Sequence, residues 1–150
     1  MPLPRAARTL RIGTCFLALL APCACQDRPE PKVAAEASTL KQATDVFWAL
    51  DRLGYIASKE KPNPSSRGCT PYEYLAKRGE ALFKISVFEC GDAAQAKALV
   101  EHPDNQKVDS LLRNHHEGGM LQRGPLHIII RKSSGDAKAA DTLLEELGGL

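Results

Sequence analysis

The sequence predicts an α+β domain: a leading helix, then a four-stranded antiparallel sheet from two ββα units with the helices on one face (α-ββα-ββα). Three observations predict it. Apolar residues recur at helical spacing from Leu40 to Leu53. A strand–turn–strand–helix pattern then appears twice, about 44 residues apart. Two cysteines, Cys69 and Cys90, fall in facing register across the first strand pair.

The leading helix is expected to start from the capping box Thr39-Leu40-Lys41-Gln42, whose hydroxyl and amide side chains satisfy free backbone N–H groups. Leu40, Ala43, Val46, Phe47, Leu50 and Leu53 make one apolar stripe that stops near Gly54. Trp48 sits on the flank of that stripe, as a packing residue at the edge of the core. Lys59 to Gly68 reads as a loop from its proline, serine and glycine content.

Strands follow at Tyr72–Ala76 and Ala81–Cys90, around a turn at Lys77-Arg78-Gly79-Glu80. Ala81, Phe83, Ile85 and Val87 alternate with Leu82, Lys84 and Ser86, as in a sheet buried mainly on one side. Gly91-Asp92 opens an alanine-rich helix with Asp92 as N-cap, and a short helix is expected around Val108–Leu112. The second unit places strands at Gly119–Gln122 and Leu126–Lys132 around Arg123-Gly124-Pro125. Gly135-Asp136 then opens a helix carrying Ala137, Ala140, Leu143, Leu144 and Leu147. The units, residues 72–101 and 119–147, read as an internal repeat whose glycine–aspartate pairs lie 44 apart and whose arginine–glycine pairs lie 45 apart. A lone hairpin is marginal in water, whereas two side by side make a sheet that helices can cover.

Facing residues of an antiparallel hairpin have a constant sum of residue numbers. Cys69 and Cys90 sum to 159, which centres the hairpin between Gly79 and Glu80. The two are therefore expected to form a disulfide across its open end. At 21 positions apart they are no C-x-x-C redox pair.

The formal charge of the 150-residue chain is +2, with 43% hydrophobic and 25% charged residues, an ordinary globular composition. Arg5, Arg8 and Arg11 precede an apolar run, Ile12 to Ala21, too short to span a bilayer, and Pro22-Cys23-Ala24-Cys25 follows. No acid precedes Gln26. Taking those three arginines from the 20 basic residues leaves 17 against 18 acidic, a body of about −1. Such a body has no electrostatic reason, on net charge, to seek nucleic acid or anionic lipid.

That N-terminal order is the anatomy of a secretory signal, and it resembles bacterial lipoprotein signals over residues 1–25 alone. Cys23 follows Leu20-Ala21-Pro22 and Cys25 follows Ala24, so both are lipidation candidates. The resemblance implies export to the cell envelope and a lipid anchor facing the periplasm or the cell surface. Cys15 lies in the apolar run and is expected to leave with it. Residues 26–38, with two prolines and mixed charge, read as a flexible tether, leaving 39–150 as a single domain.

His115, His116 and Glu117 form the one cluster of metal-ligand residue types, on a loop before Gly118-Gly119. His102 and Asp104 join it only if the fold brings them near. His127 is expected in a strand, facing solvent beside Ile128 and Ile130. No H-E-x-x-H, phosphate-binding glycine loop, G-x-S-x-G or EF-hand pattern occurs, and no carboxylates are spaced as an acid–base pair. The expected function is thus a lipid-anchored binding or interaction domain without catalytic activity or cofactor. Its partners are the membrane, through the anchor, and an envelope protein; Phe88, Tyr72 and Tyr74 are candidate contacts, with structural packing as the stronger reading of all three. The alternative is a periplasmic metal or small-ligand sensor using the His115-His116 loop.

Overall fold

The structure is a computed structural model and describes residues 39–61 and 68–150. The expected signal, the tether and both lipidation candidates, Cys23 and Cys25, lie outside the described residues, as do residues 62–67 of the expected loop.

The chain is an α+β fold: helix α1 (Ala43–Arg52), then strands β1 (Ile56–Glu60), β2 (Thr70–Arg78) and β3 (Ala81–Glu89). Helices α2 (Ala93–Val100) and α3 (Pro103–Asn114) precede strands β4 (Gly118–Arg123) and β5 (Leu126–Ser134) and the closing helix α4 (Lys138–Gly148). The strands form one antiparallel sheet in the order β1-β2-β3-β5-β4. It has five strands where the sequence predicts four. The extra one is β1, Ile-Ala-Ser-Lys-Glu, whose last two residues fall in the expected loop. As an edge strand it sends only Ala57 toward the core, so it lacks the apolar alternation by which a strand is recognised.

The first hairpin has the predicted register. Every β2–β3 pair, from Thr70↔Glu89 to Arg78↔Ala81, sums to 159, and Gly79-Glu80 is the two-residue loop. Gly79 has φ 60°, a conformation glycine adopts without steric cost, as hairpin loops of this length require. Tyr74, Ala76, Phe83, Ile85, Val87, Leu126, Ile128 and Ile130 share one face of the sheet, which α1 and α4 cover with Val46, Leu50, Leu143 and Leu147. This is the main core.

Helix α1 begins three residues later than its expected cap. Gln42, not Thr39, is the N-cap, and the Asp45 carboxylate accepts the N–H groups of Lys41 and Gln42, both at 2.9 Å. Glu89 of β3 accepts the Ala43 N–H at 2.8 Å, so a tertiary contact sets where the helix starts. Leu40 is left outside the helix and fills the core directly.

The helices do not all lie on one face. Ala96 of α2 packs with Cys69, Cys90, Phe88 and Leu99 in a second apolar cluster. The Gln122 side chain also donates to the Ala93 carbonyl at 3.3 Å. Phe88, His127 and Gln122 are cross-strand neighbours on the face opposite the main core, so α2 lies there. The two ββα units therefore share their order but not their helix placement: α2 and α4 meet the β4–β5 hairpin from opposite sides.

Helix α3 is also longer than the expected Val108–Leu112 segment. Pro103 occupies its first turn after His102, where a missing N–H costs nothing. None of its residues is buried, and its apolar side chains, Val108, Leu111 and Leu112, lie from its middle onward, so no apolar spacing marks its first turns after Pro103. Among the described residues, no helix is long and apolar enough to cross a membrane.

Candidate functional site

Among the described residues, three places hold the side chains that bear on a site. The first is a cleft of about 410 Å³ at the end of the sheet, lined by Tyr55, Arg78, Glu80, Asp136, Lys138 and Thr142 among others. Tyr55 follows the turn that ends α1, Arg78 closes β2, and α4 supplies the opposite wall. The Arg78 guanidinium lies 4.2 Å from the centre of the Tyr55 ring and donates to Glu146 at 2.8 Å and to the Leu53 carbonyl at 3.2 Å. Tyr55 donates its hydroxyl to the other Glu146 oxygen at 3.0 Å. Burial and that bond hold the Tyr55 hydroxyl above its ordinary pKa, and the bond to Glu146 raises Arg78 as well. The tyrosine stays protonated and the guanidinium stays charged. This cleft can recognise charge, but its tyrosine is no nucleophile at neutral pH.

The second place is the disulfide corner. Cys69 and Cys90 are joined, as their register predicts, with Cα atoms 4.3 Å apart. Phe88 stacks on His127 with ring centroids 5.6 Å apart. His127 faces away from Ile128 and Ile130, but α2 covers it: it is 1% exposed, not solvated as the sequence suggests. Neither ring nitrogen has a hydrogen-bond partner among the described residues. Burial pushes its pKa down to about 4, against a smaller opposing pull from the Asp109 carboxylate. A neutral imidazole fits that environment and an imidazolium does not.

The third is the His115–Glu117 turn. His115 is the C-cap of α3, and His116 sits at φ 52° with its Nδ1 2.8 Å from Asp141 of α4. The Glu117 carbonyl accepts from the Lys132 N–H at 2.6 Å and so continues the β4–β5 ladder. His102 instead turns to the N–H of Asp104, at the other end of α3. Among the described residues no three His, Cys, Asp or Glu side chains converge as metal ligands.

The candidate contact residues divide. Tyr74 is buried and donates to the Ala43 carbonyl at 2.9 Å; burial raises its hydroxyl to about 12. Tyr72 packs partly buried on the main core and Phe88 on the disulfide cluster. Trp48 is 58% exposed and meets Phe47, which packs on the main core, edge-on with ring centroids 5.4 Å apart. Two features escape sequence reasoning: the Arg78–Tyr55–Glu146 clasp spans 91 positions, and the cover on His127 depends on where α2 lands. No protein-family model, curated protein or solved structure matches the chain.

Proposed function

We propose that the chain is an exported, membrane-tethered binding domain that works by contact rather than by catalysis. The Cys69–Cys90 disulfide carries this reading. A bridge across the mouth of a hairpin persists in an oxidising compartment and is rare where thiols are kept reduced. It agrees with the signal-like N-terminus and with Cys23 or Cys25 as the lipid-bearing residue. The non-catalytic part rests on the sites themselves: Tyr55 and Arg78 are locked in their protonated forms, and the His127 ring nitrogens, buried against Phe88, have no hydrogen-bond partner among the described residues. Contact surface remains on the part of the sheet that α2 leaves uncovered, marked by the exposed Lys77 and Lys84.

Cell fractionation with intact-mass analysis tests this reading. The expected protein is membrane-associated, begins at Cys23 or Cys25 with added acyl mass, and lacks free thiols at Cys69 and Cys90. A cytoplasmic, unprocessed chain with both thiols free overturns it. Pull-down of the anchored protein from the membrane fraction then identifies the envelope partner.

A further inference from the structure

We propose that the part of the sheet's second face left open by the described residues docks on an anionic phospholipid membrane surface. Strand pairing gathers there what the sequence scatters. Lys84 of β3 stands directly opposite Arg131 of β5, and Lys77 of β2 lies on the same face one pair further along. Like charges facing each other across two strands repel, and an anion between them relieves that repulsion.

Glu73 is the acid within this patch. It is buried, accepts from Ser86 at 3.1 Å, and takes Lys84 at 3.2 Å. Glu60 lies beyond Glu73 at the end of β1, and Glu80 lies in the hairpin loop. Lys77 and Arg131 are exposed and make no ion pair with an acid among the described residues. Aliphatic side chains fill the spaces between cations: Leu75 opposite Lys84, Leu82 opposite Lys77, and Ile56, 79% exposed, on the other side of Lys77.

The chemistry selects the occupant. A second copy of the chain would bring the same cations against themselves. The cations are spread over three strands rather than gathered around one acidic side chain, and a layer of phosphate headgroups meets several of them at once while their aliphatic stems and Ile56 reach the acyl boundary. The proposal rests on the tethered reading in one respect. A 13-residue tether reaches at most roughly 45 Å, so an anchored domain stays close to the bilayer and a weak attraction suffices.

Vesicle partition of the unlipidated chain from Gln26 onward, which lacks the arginines and apolar run of the signal-like segment, tests it, with phosphatidylglycerol and phosphatidylcholine in equal parts against phosphatidylcholine alone. K77Q/K84Q/R131Q is compared with wild type, and K77R/K84R/R131K retains the charges. Three cations at a surface predict roughly a hundredfold loss of partition to anionic vesicles in the glutamine variant at low salt. The charge-retaining variant keeps wild-type partition, and the loss shrinks at high salt. Urea denaturation of each variant with the Cys69–Cys90 bridge intact verifies that it is folded. Equal partition of wild type and the glutamine variant overturns the proposal. So does equally tight, equally charge-dependent binding to soluble polyglutamate, which would point to an acidic protein partner instead. Absence of acyl mass on Cys23 and Cys25 counts against the anchor and leaves the vesicle result untouched, so the two failures are distinguishable.

Discussion

Asp109 accepts the backbone N–H of Met120 at 2.6 Å, and one helical turn later Arg113 donates to the Met120 carbonyl at 2.7 Å. Met120 is in β4, the sheet's outermost strand on that side, and these two side chains take the places of a further strand's backbone groups. Helix α3, which buries none of its residues, is held by this polar clamp, and Asp109 and Arg113 also bond each other at 3.0 Å. The clamp closes an edge that would otherwise be open to pairing with another chain.

Asp109→Ala is accordingly expected to cost about 1–3 kcal/mol, since it strands the Met120 N–H and frees Arg113. Urea denaturation measures the loss. Hydrogen exchange at Met120 is expected to accelerate more than exchange in β3, and sedimentation should show increased self-association. Unchanged exchange at Met120 would mean that the clamp contributes nothing to closing the edge.

Reduction of Cys69–Cys90 is expected to lower stability by about 3 kcal/mol, the loop-closure value for this separation. Denaturation with and without reductant measures it, and C69A/C90A should reproduce the reduced protein without responding to reductant. A wild type indifferent to reductant would show that α2 and the cluster around Ala96 hold the corner unaided.

Acid is expected to destabilise the fold through His127. Its folded pKa, about 4, lies below the ordinary 6.5, so the folded state disfavours the charged form. The contribution is fully present above pH 6.5 and is lost as pH falls from 6.5 toward 4. The depression corresponds to roughly 3 kcal/mol over that window. His127→Phe should flatten stability against pH between these limits. A variant that keeps the wild-type slope would assign the acid sensitivity to other groups.

Gly118→Ala is expected to destabilise by more than about 1 kcal/mol. Gly118 has φ 143°, and a Cβ there would collide with the Ile130 carbonyl, a backbone atom in the middle of β5 that cannot move aside. Gly54→Ala, also at positive φ but in open space, should cost less. Thermal unfolding of the two variants compares them, and equal losses would mean that φ alone, not the close approach, decides the cost.

Legibility followed the range of the forces involved. The hairpin of β2 and β3, its two-residue loop and the disulfide were readable because register is arithmetic along the chain. The Asp92 cap was readable too, since its bond to the Gln95 N–H spans three residues. β1 was missed because an edge strand with one inward residue carries no alternating pattern, and the extent of α3 because polar clamps hold it. In the candidate sites, His116 could be named from sequence, but its partner Asp141 lies 25 positions on.

The sequence by itself determined the α+β class, the first hairpin's register and the cysteine pairing, because backbone periodicity and antiparallel pairing are written locally. It also holds the signal-like N-terminus and a body charge of about −1. Only the tertiary structure decided that α2 and α4 take opposite faces, that His127 is covered, and that Lys77, Lys84 and Arg131 share one side of the sheet. Those outcomes depend on which strands become neighbours. β5 pairs with β3 across two intervening helices, and net charge, a sum over residues, carries no trace of where that pairing puts them.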